Sequence, residues 1–275
     1  MARLHRPLPN PSLLAGEDVA RGATSGRRLP PHEFREKFAL LVAAHGERRT
    51  GSGNEGVAQL AARLRMLGLA AAVGFGFVKG TPSISEAVRG LAGRDLLVYP
   101  LFLADGYFTR TLLPRQLSEA GAFAEGRTVR MLPPLGLDPA LVDLVLDRAC
   151  AVAGAREWTQ SGTELVLLAH GSSNNPASRR AAERIAESVA GRNAFARVRP
   201  AFLEEAPFLG DAIAGCRGPA LVIGLFAGEG LHGGDDVPQR VAELNRPDLA
   251  FAGNVGAFET LPNMIAAAIR RACEG

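Results

Sequence analysis

Aromatic residues are scarce in this chain, 6% of 275, with one Trp and two Tyr. Proteins that grip single-stranded nucleic acid stack bases on exposed rings, so the scarcity argues against that role. Lysine is almost missing: Lys37 and Lys79 are the only two, and Arg supplies nearly all the positive charge. The formal charge is +3, yet no dense basic run forms a nucleic-acid arm. Cysteine is sparse as well. Cys150, Cys216 and Cys273 are odd in number and far apart, with no CxxC pair. That excludes the usual spacing of a zinc knuckle or an iron–sulfur cluster and fits a reducing compartment. No apolar run reaches the length of a membrane span. Residues 1–31 are broken by Arg, Pro and Gly where a signal peptide would carry its apolar core. The expectation is a cytoplasmic protein with neither nucleic-acid nor membrane partners.

Apolar residues make up 47% and charged residues 21%, the balance of a globular α/β chain able to bury a large core. Residues 1–36, with five prolines between Pro7 and Pro31, read as an irregular N-terminal arm. Beyond them the chain repeats itself. The apolar run Phe38–Ala44 ends in His45-Gly46, and Leu165–Ala169 ends in His170-Gly171, 125 residues later. Phe77 and Pro82 match Phe202 and Pro207 at the same offset, and Leu101–Pro114 matches Leu225–Pro238 at 124. Several matches in order at nearly constant spacing indicate an internal duplication. The halves are residues 37–155 and 164–275.

Each half alternates short apolar runs with helical patterns. Strands are expected near 38–44, 70–77, 95–102 and 128–132, with helices near 54–67, 82–92, 111–121 and 138–153. The second half repeats this, with strands near 164–169, 195–203, 219–226 and 248–252 and helices near 176–190, 206–215, 236–245 and 260–273. Buried strands linked through helices give a parallel sheet covered on both faces. The predicted fold class is therefore α/β, with two similar lobes that each hold a four-stranded parallel sheet. Ligands of such sheets bind beyond the carboxyl ends of the strands.

In the second half three chemically capable residues stand at three such ends: His170 after the first strand, Glu204 after the second, and His232 in the loop after the third. Imidazole with carboxylate suits borderline divalent metals. Taken singly, each has an ordinary explanation. A histidine at a strand end is commonly a turn residue, and Glu204 beside Glu205 reads as a solvated acidic step. Their convergence on one sheet edge is what points to a metal or catalytic site. In the first half His45 persists, but Lys79 stands where Glu204 does and Phe108 where His232 does. That half should not bind metal in the same way, and one site per chain is expected. A zinc-dependent hydrolase, with two His and one Glu around Zn²⁺ and an open water position, uses the same ligand types. Ser172-Ser173-Asn174 ahead of a helix also admits an anion-binding module.

These residues resemble the class II tetrapyrrole chelatases, the sirohydrochlorin cobaltochelatase and ferrochelatase family. The marks are Ala169-His170-Gly171-Ser172, the step Phe202-Leu203-Glu204, and Gly230-Leu231-His232 followed by Asp236-Val237-Pro238, and the resemblance spans roughly residues 37–273. It implies a two-lobed fold with a tetrapyrrole cleft. It further implies that His170 and His232 hold the metal and that Glu204 serves as ligand or proton acceptor. The activity implied is insertion of Co²⁺ first, Fe²⁺ or Ni²⁺ as alternatives, into sirohydrochlorin or a related tetrapyrrole for cobalamin or siroheme biosynthesis. A non-catalytic tetrapyrrole or metal carrier would use the same cleft. No cofactor is needed beyond the substrate metal, and no Walker-type loop is present. Imidazole titrates near pH ~6.5, so a neutral donor is available at cytoplasmic pH. The substrate carries many carboxylates, for which Arg48, Arg49, Arg110, Arg115, Arg179 and Arg180 form a candidate binding rim. A duplicated chain carries its own partner lobe, so a monomer is expected.

Overall fold

The computed structural model describes residues 36–46, 54–124, 126–172, 176–228 and 236–274. The N-terminal arm, apart from Glu36, lies outside these residues, as do Arg48, Arg49 and His232.

The first lobe runs β1 (Phe38–Ala44), α1 (Glu55–Met66), β2 (Ala72–Phe77), α2 (Ile84–Gly90), β3 (Asp95–Leu101), a π-helical turn (Phe108–Leu112), α3 (Leu113–Glu119), β4 (Val129–Met131) and α4 (Ala140–Ala155). The second lobe repeats the order with β5 (Glu164–Ala169), α5 (Ala177–Ala190), β6 (Arg197–Phe202), α6 (Leu209–Ala214), β7 (Ala220–Gly224), α7 (Asp236–Glu243), β8 (Leu249–Asn254) and α8 (Leu261–Glu274). Every predicted strand and helix appears. The helix expected from 111 begins earlier, because Gly106 accepts from the amides of Thr109 and Arg110 and starts the turn there.

Both sheets are wholly parallel, in the orders β2-β1-β3-β4 and β6-β5-β7-β8. The connections leave β1 and β5 toward opposite sides, so each sheet has a switch point at the carboxyl end of its central pair. Strand alternation divides the core. In β1, Phe38, Leu40, Val42 and Ala44 face inward, while Ala39, Leu41 and Ala43 pack on the outer cluster with α2 and α3. The inward residues of both sheets share one core with α1, α4, α5 and α8.

The last helix of each half crosses over. Helix α4 packs on α5, β7 and β8 of the second lobe, while α8 packs on α1 of the first and on α4. Polar contacts fasten the exchange: Arg271 donates to Asp138 at 2.9 Å, Arg63 to the Glu259 carbonyl at 2.9 Å and Arg148 to the Ala252 carbonyl. Cutting the chain at 155 therefore separates α4 from the sheet it covers. No helix among the described residues is long and apolar enough to cross a membrane.

Candidate functional site

The duplicated His-Gly pairs build matching corners. At Gly46 and Gly171 the backbone turns through φ of +73° and +74°, where only glycine sits without strain. A Cβ on Gly46 would come within 2.4 Å of Phe77 Cβ, and one on Gly171 within 2.8 Å of Glu205 Cγ. Lys79 donates its amide to the His45 carbonyl at 2.8 Å, and Glu204 donates to that of His170 at 3.0 Å. Each corner thus presents its histidine together with the residue that follows the neighbouring strand.

The two corners open into one cleft of about 540 Å³. His45, Leu101 and Phe108 line it from the first lobe, and His170, Ser172 and Phe226 from the second. Both switch points thus meet in a single cavity, as expected of two duplicated lobes.

In the second lobe His170 Nδ1 lies 3.0 Å from the Gly171 carbonyl and 3.6 Å from Glu204 Oε2. A carbonyl only accepts, so a neutral ring making this hydrogen bond has its proton on Nδ1 and its lone pair on Nε2, the atom a metal would use. His170 and Glu204 are 38% and 53% exposed, open to an incoming ligand. Among the described residues no three His, Cys, Asp or Glu side chains gather into a metal set. The described part of the expected triad is the His170–Glu204 pair.

Glu205 takes a different part, which the sequence did not reveal. One carboxylate oxygen accepts the Ser172 amide at 2.9 Å, and the other accepts Arg179 Nε and Nη2 at 2.9 and 2.7 Å. Burial pushes the carboxyl up, but the Ser172 amide and the Arg179 guanidinium outweigh it and hold Glu205 below the ordinary carboxylate range. Arg179 also donates to the Ala206 carbonyl and lies over the Phe202 ring at 4.6 Å. The guanidinium expected on the substrate rim is thus committed to holding the His170 corner. The first lobe has Gly80 where Glu205 stands, so the duplication carried no signal for this latch.

The other described arginines are also placed away from the expected role. Arg110 donates twice to Asp105, at 2.6 and 2.9 Å, and Arg115 pairs with Glu119 at 3.6 Å. Arg180 is exposed on α5. None of Arg110, Arg115, Arg179 and Arg180 is among the described residues lining the cleft. Asp105 makes the reason clear for Arg110: its carboxylate accepts Arg110 and Thr109 together and fixes the loop between β3 and the π-helical turn.

The first lobe keeps the arrangement with altered chemistry. Phe108 meets the His45 ring edge to face at 4.7 Å, and Lys79 Nζ stands 5.2 Å from the Phe108 centroid. Positions 45, 79 and 108 therefore converge, as the duplication implied, but the ligand positions hold a cation and a phenyl ring.

Fold and site together define a duplicated chelatase-like α/β protein with one cleft between its lobes. The CbiX family model matches the chain twice, over residues 39–152 and 164–273. The chain belongs to the CbiX family of tetrapyrrole chelatases, in the duplicated two-lobe form. A curated relative from Halobacterium salinarum, described as a probable sirohydrochlorin cobaltochelatase, is 25% identical over 73% of this chain and 75% of its own. A solved CbiX, described as the terminal enzyme for siroheme biosynthesis in denitrifying bacteria, is 34% identical with a TM-score of 0.70, covering 85% of this chain and 99% of that one. The cobalt complex of the sirohydrochlorin chelatase SirB from Bacillus subtilis subspecies spizizenii shares the fold, with 18% identity and a TM-score of 0.67 over 86% of this chain and 96% of that one.

Proposed function

We propose that this chain inserts a divalent metal into sirohydrochlorin, with the metal held in the second lobe by His170 and His232 and with Glu204 as ligand or proton acceptor. The observation that carries the reading is the His170–Glu204 pair, 3.6 Å apart, with His170 on the wall of the cleft that joins the two switch points. The first lobe supports the place given to His232. Phe108, its counterpart in the duplication, has its ring centroid 4.7 Å from that of His45, and the role given to His232 rests on that correspondence.

The chemistry follows from these groups. Insertion removes two pyrrole protons and strips water from the ion. Donation of Nδ1–H to the Gly171 carbonyl turns the Nε2 lone pair of His170 toward metal binding and raises its basicity. Half-exposed Glu204 accepts the two pyrrole protons in turn and passes each to solvent before taking the next. Imidazole and carboxylate ligands bind Co²⁺, Fe²⁺ and Ni²⁺ alike, so the relatives are the guide to the ion. The curated relative is named for cobalt and the 34% identical structure for siroheme. Co²⁺ is the first metal to test and Fe²⁺ the second, in a cytoplasmic enzyme that acts as a monomer.

The test is anaerobic mixing of sirohydrochlorin with Co²⁺, Fe²⁺ or Ni²⁺, followed by absorbance. Wild-type protein is expected to accelerate insertion, and His170→Ala and His232→Ala to lower the rate about 100-fold or more. No acceleration with any metal refutes the chelatase. A tight spectral shift without turnover would make the protein a carrier.

A further inference from the structure

The first lobe keeps His45 but lacks the other two expected ligands, and it still supplies about half of the cleft wall. We propose that Tyr107, Phe108 and Lys79 form a seat for the tetrapyrrole, two rings against one face of the macrocycle and one cation for a peripheral carboxylate. The proposal rests on the chelatase reading and assigns the degenerate lobe to orienting the substrate.

Three observations carry it. In a chain poor in aromatics, Phe102, Tyr107 and Phe108 all line this cleft. Phe102 stacks on Phe108 at 6.2 Å with 13° between the ring planes, and Tyr107 meets Phe108 edge to face at 5.7 Å. Tyr107 is nonetheless 52% exposed, although an exposed ring of that size gains most by being covered. A flat conjugated macrocycle is a partner of matching shape.

The second observation is charge. Lys79 is exposed and held over the Phe108 ring, and no carboxylate among the described residues pairs with it. Lys37, by contrast, pairs with Asp95 at 3.1 Å. Arg110 and Arg179, which the sequence placed on the substrate rim, are neutralised by Asp105 and Glu205. Lys79 is not itself part of the cleft lining, but its ammonium stands 5.2 Å from the centroid of Phe108, which is, and it could swing to meet a ring carboxylate there.

The third is rigidity. Asp105 accepts from Thr109 and Arg110, and the Gly106 amide donates to Thr109 Oγ1 at 2.9 Å. A Cβ on Gly106 would come within 3.3 Å of Ala177 Cβ in the second lobe, so the loop rests on α5. A wall fixed in this way presents its rings without a further ordering cost on binding. With the macrocycle on this face, the His170 side of the cleft meets the opposite face, from which the ion enters.

The experiment uses full-length protein and metal-free sirohydrochlorin titrated anaerobically by absorbance, with Co²⁺ binding measured separately by calorimetry. Tyr107→Leu and Phe108→Leu are expected to raise the tetrapyrrole Kd and KM about 3- to 10-fold, with Co²⁺ affinity unchanged and kcat within about 3-fold. Lys79→Gln should raise Kd about 2- to 5-fold and flatten its salt dependence, and Lys79→Arg should restore both. Wild-type tetrapyrrole affinity in Tyr107→Leu, Phe108→Leu and Lys79→Gln alike overturns the seat, even if the enzyme inserts metal. The same loss of affinity in a protein that inserts no metal overturns the chelatase reading and leaves the seat standing.

Discussion

Glu204 and Glu205 are adjacent and chemically identical, yet the structure gives them separable tasks, and exchanging each for Gln tests that division. Glu205→Gln keeps the shape but removes the anion that accepts two Arg179 N–H groups and the Ser172 amide. Charge-assisted hydrogen bonds contribute about 1.5–3 kcal/mol each when buried. The Glu205 and Arg179 side chains are 16% and 29% exposed, and solvent screening reduces the total to about 1–2 kcal/mol. For a chain of this size that lowers Tm by about 3–6 °C. Glu204 is 53% exposed, and Glu204→Gln should change stability by less than about 0.5 kcal/mol. Its loss should instead appear in turnover, as a fall in kcat of about 100-fold. The assays are thermal unfolding and sirohydrochlorin metallation on the same preparations. Acid gives an internal check. The folded-state pKa of Glu205 is depressed, so its stabilisation is complete above the unfolded value of about 4.3 and disappears as pH falls through the folded value. The gap in Tm between wild type and Glu205→Gln should therefore be full at pH 7 and begin to shrink only as pH falls below about 4.3. Melting of Glu205→Gln with wild-type Tm at pH 7, or full turnover by Glu204→Gln, refutes the division.

Two further outcomes follow from the geometry. Restoring the lost ligands with the double variant Lys79→Glu, Phe108→His should give the first lobe a His–Glu–His set around His45, because those positions already converge. Calorimetry should then count two Co²⁺ per chain instead of one, and a single site in a folded variant would show that position 108 does not project as the phenyl ring implies. At Gly136 a Cβ would stand 1.7 Å from the Leu103 carbonyl, so Gly136→Ala should destabilise by about 3 kcal/mol or more. Gly154→Ala, in α4 with nothing within 4 Å of the added carbon, should be neutral or stabilise by up to about 1 kcal/mol. Urea unfolding midpoints compare the two, and equal midpoints would refute the close approach at Gly136.

The eight strands and eight helices among the described residues were legible because each leaves a local mark. Phe38–Ala44 is a continuous apolar run of strand length, and Ser83 caps α2 through a reciprocal pair with Glu86 whose spacing is visible in the sequence. The His170 corner and its carboxylate were legible for a related reason: parallel strands bring successive carboxyl ends to one edge whatever the loops between them do. The arginine rim was not legible. Arg179 finds Glu205 across 26 residues, whereas Arg110 finds Asp105 only five away. In both cases, whether a guanidinium faces substrate or a neighbour depends on side-chain direction, which spacing along a loop does not give.

By itself, the sequence determined the duplication, the α/β class, the order of elements and the types of donor at the strand ends, since these follow from periodicity and repetition along the chain. Tertiary structure alone decided that α4 and α8 exchange lobes, that Glu205 rather than Glu204 latches the His170 corner, and that the first lobe lines the shared cleft with aromatic rings beside Lys79. Those outcomes depend on which chain-distant surfaces come within about 3–4 Å of each other, a distance set by packing around the common core.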